Sequence, residues 1–195
     1  MEKLVNKDKT YELALKKLLL ESKVEVDELV IKQNMQDDEV ELIAYFKKEL
    51  DEVIKSYLTE VAGGLNTKID FEIKENFSRK TLNIKTDNGS CLIGKNGNVI
   101  DALEKLVRQK IFNNYNVYYN ISIDVEDYRN KKLKNIISLA KKTAYEVQKT
   151  NISVILDSMT SFERKIVHDE LSQIDGIKTI SKGEEPNRAI VIECK

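Results

Sequence analysis

The spacing of apolar residues along this chain switches repeatedly between a helical and a strand period, and no other feature of the sequence restricts its fold as much. Phe46, Leu50, Val53, Ile54, Tyr57, Leu58 and Val61 recur at steps of three and four, as on one face of a helix. Ile69, Phe71 and Ile73 then alternate with polar residues, as do Leu82 and Ile84, so two strands joined by a turn over Asn76–Lys80 are expected. Val99, Ile100, Leu103, Leu106, Val107 and Ile111 return to the helical period. Val117, Tyr119, Ile121 and Ile123 alternate again, and a long helix is expected from Tyr128 to Lys149. The C-terminal part reads as strand Ile152–Leu156, helix Ser161–Ile174, strand Ile177–Ser181, turn Lys182–Asn187 and strand Arg188–Cys194. Ahead of all this lie a short amphipathic helix, Thr10–Leu20, a strand, Glu28–Lys32, and Val40–Ala44, which suits either a strand or a helix start. Mixed periods of this kind predict an α+β chain.

The chain has one proline, Pro186, and no Ser/Gly-rich linker, so its parts are joined by helices and short loops. Three modules are expected: a small β/α unit at 1–43, an α-β-β-α-α-β domain at 44–126, and a connecting helix with a small β-α-β-β domain at 127–195. A 41% hydrophobic and 33% charged composition is that of a globular protein. The formal net charge of −1 counts against a strong, sequence-blind binder of polyanions. Charge is uneven, however: acids outnumber bases in the first 60 residues and bases slightly outnumber acids afterwards. Met1–Lys7 has no apolar stretch of the signal-peptide kind, and no apolar run approaches the roughly 18–20 residues that span a bilayer. Cys91 and Cys194, far apart and flanked by apolar residues, read as small buried hydrophobes in a reducing compartment. The expected location is cytoplasmic.

Gly94-Lys95-Asn96-Gly97 carries the first functional signal. Two glycines remove Cβ atoms, so main chain can approach a sugar-phosphate strand closely. The helix that follows directs N–H groups and the positive end of its dipole at the same place. Lys95 adds a mobile cation, Asn96 adds amide donors, and Asn98 is a candidate helix cap. By itself a Gly-x-x-Gly tetrapeptide is equally compatible with a tight turn. Its setting, helix, strand, strand, short helix, loop, helix, strand, is similar to the bacterial-type (type II) KH domain, whose loop clamps a nucleotide backbone. Residues 79–110 hold Arg79, Lys80, Lys85, Lys95, Lys105, Arg108 and Lys110 against Asp87, Asp101 and Glu104, a local basic excess. No phosphate-binding P-loop and no dinucleotide Gly-x-Gly-x-x-Gly pattern is present.

The single histidine supplies the second signal. His168 follows Arg164 by four residues, so the two stack one turn apart on a helix. Met159, Ile166, Val167 and Ile174 cluster on one side, which puts Arg164 and His168 on the other, beside Ser161 and Ser172. That face is either ordinary solvated surface or a guanidinium and an imidazole offered jointly to phosphate and base. Lys165 adjoins Arg164, and the expected C-terminal hairpin adds Arg188 and the turn at Gly183. No His/Cys metal pattern and no nucleophile-elbow sequence occurs, so neither a catalytic group nor a metal or other cofactor is expected.

Longer motifs add a resemblance. Met159-Thr160-Ser161-Phe162-Glu163-Arg164-Lys165-Ile166-Val167-His168 is similar to the Met-x-x-x-Glu-Arg-Arg/Lys-Ile-Val-His motif of the Jag proteins, also called KhpB or SpoIIIJ-associated proteins. Ser181-Lys182-Gly183-Glu184-Glu185-Pro186-Asn187-Arg188 resembles that family's Ser-x-Gly-x-x-Pro-x-Arg hairpin. Leu92-Ile93-Gly94-Lys95-Asn96-Gly97 with Asp101-Ala102-Leu103 resembles its KH signature. The resemblance implies a degenerate Jag-like N-terminal domain, a KH domain and an Arg-x-x-x-His (R-three-H) domain, in that order. It implies a cytoplasmic bacterial binder of single-stranded RNA, or of single-stranded DNA, linked to cell shape, division or sporulation. Gly94, Lys95, Asn96, Gly97, Arg164, Lys165, His168 and Arg188 would touch the nucleic acid. The implied protein partner is a second copy or a small single-KH protein. The competing expectation is an interaction scaffold that uses the KH fold for dimerisation.

Overall fold

The computed structural model describes residues 3–36, 38–76 and 79–195, and the chain divides into two compact units at Glu126/Asp127. The α+β arrangement is the expected one, with small three-stranded sheets each carrying helices.

The first unit opens with β1 (Leu4–Asp8), α1 (Tyr11–Ser22), β2 (Leu29–Gln36) and β3 (Glu39–Phe46). Thr10 caps α1 by accepting from the Leu13 amide, and Lys23 closes it in the left-handed region. The sheet is antiparallel with order β1-β3-β2. Val40, Leu42 and Ala44 alternate onto one face of β3 and join Leu4, Leu29 and the α1 residues Ala14 and Leu18 in a core. The ambiguous segment at Val40–Ala44 is therefore strand. β1 has no counterpart among the sequence expectations: it holds two apolar residues before Asn6-Lys7-Asp8, and its register opposite Leu42, Ile43 and Ala44 makes it a strand.

The chain passes directly into α2 (Lys47–Gly64), then β4 (Asp70–Asn76), β5 (Arg79–Lys85), α3 (Ser90–Ile93), α4 (Asn98–Tyr115) and β6 (Ile121–Val125). α2 extends through the Gly63-Gly64 pair, and the chain leaves it at Leu65, with Asn66 at φ 53°. β5 is central, antiparallel to β4 and parallel to β6, and residues 77–78 of the expected turn lie outside the described residues. Register aligns Ile73, Leu82 and Ile123, and likewise Phe71, Ile84 and Val125, on one face. Leu82, Ile84, Ile123 and Val125 are buried, as are Leu50, Ile54 and Leu58 of α2 and Ile100, Leu103, Val107 and Ile111 of α4.

Two buried carboxylates pin these elements. Asp51 of α2 receives the Tyr119 hydroxyl at 2.6 Å and an ion pair from Lys80, which also meets Glu75 at 3.4 Å. Burial pushes the Tyr119 phenol well above its usual range, and its bond to the Asp51 carboxylate pushes the same way. Burial opposes the Lys80 charge, yet Asp51 and Glu75 outweigh it and raise its pKa. Glu104 of α4 accepts the Ile123 amide and the Ser122 hydroxyl, both at 3.2 Å, and so satisfies an N–H of β6, the edge strand.

The second unit comprises α5 (Tyr128–Thr150), β7 (Val154–Ile155), α6 (Ser161–Leu171), β8 (Ile177–Lys182) and β9 (Ala189–Cys194), with sheet order β7-β9-β8. Ala140, Ala144 and Val147 of α5 pack with Leu156, Met159, Val167, Leu171, Ile177, Ile190 and Ile192. The expected strand Ile152–Leu156 narrows to two residues, though the Leu156 amide still bonds Ile190 at 2.9 Å. The expected helix to Ile174 ends at Leu171.

Candidate nucleic-acid interface

Gly94 ends α3 at φ 69°, ψ −178°, backbone that only glycine adopts readily. A Cβ there would meet the Val99 side chain well inside van der Waals contact. Asn96 (φ 58°) and Gly97 (φ 90°) are also left-handed. These turns put Lys95 and Asn96 at the surface while Gly97 packs down against the domain. The expected capping by Asn98 is not observed. Asn98 is already helical at φ −60°, and Gly97 occupies the cap position with no side-chain cap hydrogen bond. This 18-residue helix therefore begins without the cap side-chain oxygen that usually engages its first amides.

Ion pairing, mostly tertiary, consumes much of the basic run. Lys80 is held by Asp51 and Glu75, Lys85 by Glu72 (3.4 Å) and Glu126 (3.8 Å), and Arg108 by Glu104. Lys110 sits over the Tyr57 ring at 5.4 Å. Lys95 and Lys105 are exposed and have no ion pair among the described residues. The cationic surface here is thus narrower than the sequence count implies.

In the second unit, Thr160 and Glu163 form a capping box at the start of α6: the Glu163 amide donates to the Thr160 hydroxyl, and the Thr160 amide donates to the Glu163 carboxylate. Lys132 ion-pairs with the same carboxylate at 2.8 Å. Burial disfavours that charge, but Lys132 and the Thr160 amide prevail and hold Glu163 below the usual carboxylate range.

Arg164 is not on a solvated face. Its side chain is 7% exposed; Nη1 donates to the Met159 carbonyl at 2.7 Å and Nη2 to the Glu185 carboxylate at 2.7 Å. The reason is Leu171, seven residues on and within about 20° of Arg164 around the helix. Leu171 is fully buried, so the meridian they share faces the core. His168 is also engaged: Nδ1 lies 2.7 Å from Thr179 Oγ1 and Nε2 2.9 Å from Ser181 Oγ. Arg164 thus ties α6 to the β8–β9 turn, and His168 ties it to β8. Lys165 and Arg188 are exposed. Phe162 is 66% exposed on the first turn of α6, a residue the sequence reading passed over. An aromatic ring among polar neighbours in the helical pattern was the available signal.

A KH domain family model matches residues 49–130, and an R-three-H domain model matches residues 134–193. The RNA-binding protein KhpB of Clostridium symbiosum is 33% identical over 151 residues, which cover 76% of this chain and 68% of that protein. The RNA-binding protein KhpB of Bacillus subtilis (strain 168) is 38% identical over 143 residues, 72% of this chain and 69% of that protein. The chain belongs to the KhpB family. A longer member, the RNA-binding protein KhpB of Lactiplantibacillus plantarum, is 37% identical over 139 residues, 71% of this chain but 43% of that protein. Within this KhpB-family chain the KH match starts in α2 and ends in the first turn of α5, and so takes in the Gly94–Gly97 loop. The R-three-H match runs from α5 to β9 and takes in Arg164, His168 and Arg188. The β1-β3-β2 sheet precedes both.

Among the described residues no group of three or more His, Cys, Asp or Glu side chains is placed to hold a metal ion, and no helix is long and apolar enough to cross a membrane. Cys91 and Cys194 are free and half-buried, less enclosed than the sequence suggested; their thiols lie 3.3 Å from the carbonyls of Asn88 and Val147.

Proposed function

We propose that this chain binds single-stranded RNA, gripping backbone phosphate at the Gly94–Gly97 loop and making further contacts on its R-three-H unit. The observation that carries the reading is the start of α4: a helix N-terminus with no side-chain cap, beside exposed Lys95 and Asn96. First-turn amides, the helix dipole and a mobile ammonium together suit one phosphate group. The KhpB relatives support the same reading through the RNA-binding names they carry.

On the R-three-H unit, Lys165 and Arg188 are the phosphate contacts and Phe162 a stacking surface for a base. Arg164 and His168 act as positioning residues, holding the hairpin that carries Arg188. The protein works as a cytoplasmic binding module, without catalysis, built from three parts, residues 1–46, 47–126 and 127–195; the first boundary lies beyond the expected 43/44 because β3 runs to Phe46 and Ala44 packs in the first core.

The test is fluorescence anisotropy with a labelled single-stranded RNA of about 20 nucleotides across a salt series. Lys95→Glu and Arg188→Glu are each expected to weaken binding and to make the salt dependence shallower by about 0.7 in log–log slope per lost phosphate contact. Unchanged affinity in both variants refutes the reading. The carboxylates that neutralise Lys80, Lys85 and Arg108 favour a second reading, in which the KH unit is chiefly a dimerisation module, with itself or with a small KH protein. Light scattering that shows a stable dimer indifferent to RNA would favour it.

A further inference from the structure

Helix α5 carries seven lysines and arginines against one acid, Glu146, in a chain whose net charge is −1. At about 100° per residue, its buried Ala140, Ala144 and Val147 share one side. Lys131, Lys134, Ser138, Lys142, Tyr145 and Lys149 fall on the opposite side, and all six are exposed. Two further cations of the helix are engaged within the unit: Lys132 with Glu163 at 2.8 Å and Lys141 with Glu170 at 2.7 Å. The four lysines of the outer stripe have no such partner among the described residues. From Lys131 to Lys149 the stripe extends about 27 Å.

Local helix stability does not account for this arrangement. Like charges along one face repel. Lys131 closes the first turn, near the positive end of the helix dipole, where cations are disfavoured; that turn holds no acid, and Asp127 lies just ahead of it at the N-cap. A polyanion laid along the stripe would relieve both penalties. Tyr145, 55% exposed between Lys142 and Lys149, adds a flat ring among the charges. A lipid surface fits less well. A helix that lies in a membrane buries its apolar face there, and that face of α5 is already committed to the core of the unit.

We propose that the outer face of α5 is an additional binding surface for single-stranded RNA, in which Lys131, Lys134, Lys142 and Lys149 track phosphates and Tyr145 stacks on a base. This rests on the RNA-binding reading above. The experiment compares the full chain with the quadruple variant Lys131→Gln/Lys134→Gln/Lys142→Gln/Lys149→Gln and with Tyr145→Leu, all substitutions to good helix formers. Anisotropy is measured on the same single-stranded RNA across a salt series, with thermal unfolding as a control for folding. The quadruple variant is expected to bind more weakly, with a log–log salt slope shallower by up to about 3. Tyr145→Leu is expected to weaken binding about five-fold or more at an unchanged slope, because no charge is lost. A quadruple variant that keeps the wild-type affinity and slope, while Lys95→Glu still weakens binding, overturns this inference and leaves RNA binding through the loop standing. A wild-type chain that binds no RNA overturns both. Loss of binding to vesicles containing anionic phospholipid, with the RNA slope unchanged, also overturns it and assigns the stripe to a membrane.

Discussion

Replacing Gly94 by alanine tests whether the loop conformation is set by the fold or by ligand. The native φ of 69° with ψ −178° lies outside the range of L-residues, which costs about 1–3 kcal/mol. The new methyl group would also stand 2.4 Å from Val99 Cγ2, and 3.1 Å from both Val99 Cβ and the Val99 amide nitrogen, so the start of α4 must shift. Forced overpacking of that kind costs about 1–3 kcal/mol more. The sum, about 2–6 kcal/mol, is a large share of the stability of an ordinary small domain. Urea unfolding followed by tyrosine fluorescence and circular dichroism reads it directly. Val99→Ala removes the atom at 2.4 Å but leaves the backbone strain, so Gly94→Ala/Val99→Ala should recover only part of the loss. A coupling of about 1–3 kcal/mol between the two sites is expected. Gly94→Ala unfolding at the wild-type midpoint, or a double variant that merely adds the two single effects, would show that the contact with Val99 does not constrain the loop. One consequence concerns binding experiments: a charge placed at Gly94 disturbs folding and binding together, whereas one placed at exposed Lys95 reports on binding.

Tyr119→Phe removes the hydroxyl that bonds buried Asp51 and should destabilise the first unit by about 1–3 kcal/mol, read as a lower urea midpoint; an unchanged midpoint would mean that Lys80 satisfies Asp51 without it. Glu163 has a depressed pKa in the folded state, so its contribution is present above the unfolded value near 4.5 and is lost as pH falls through the lower folded value. Thermal unfolding between about pH 6 and about pH 3 should therefore show a smaller acid-induced loss in Glu163→Gln than in wild type, and equal losses would rule out this contribution. Arg164→Ala should lower stability by about 2–3 kcal/mol, through its bonds to Met159 and Glu185, and should weaken RNA binding indirectly through the hairpin. Glu185→Gln, which keeps an acceptor for Arg164, should be much milder, and equal damage from the two would contradict the positioning role.

Local sequence accounts for most of the elements but less of the site. α2, α4, α5, β4 and β5 follow from apolar periods that hold over most of their length, because a helix or strand that buries one face must repeat its apolar residues at that period. Gly94 and Gly97 were legible for a related reason: positive φ leaves a chemical mark, glycine, at the residue itself. The limits of Asn98 as a cap were not legible, since an asparagine after a glycine serves equally well as the cap or as the first helical residue.

What the sequence by itself determined, then, is the alternation of helix and strand, the position of the glycine loop and the family motifs around Arg164 and His168. Tertiary structure decided what those side chains touch and which of the charges remain free. Arg164 is buried because Leu171 brings its meridian onto the core, a contact made with strands that follow in the chain. Lys80 is neutralised by Asp51, 29 residues away, and Tyr119 meets the same carboxylate across 68 residues. Periodicity is a property of neighbours along the chain, whereas burial and charge pairing belong to neighbours in space. A lysine counted as part of a basic run keeps its charge open to a ligand only where the fold brings no carboxylate to it, as at Lys95 and along the outer face of α5.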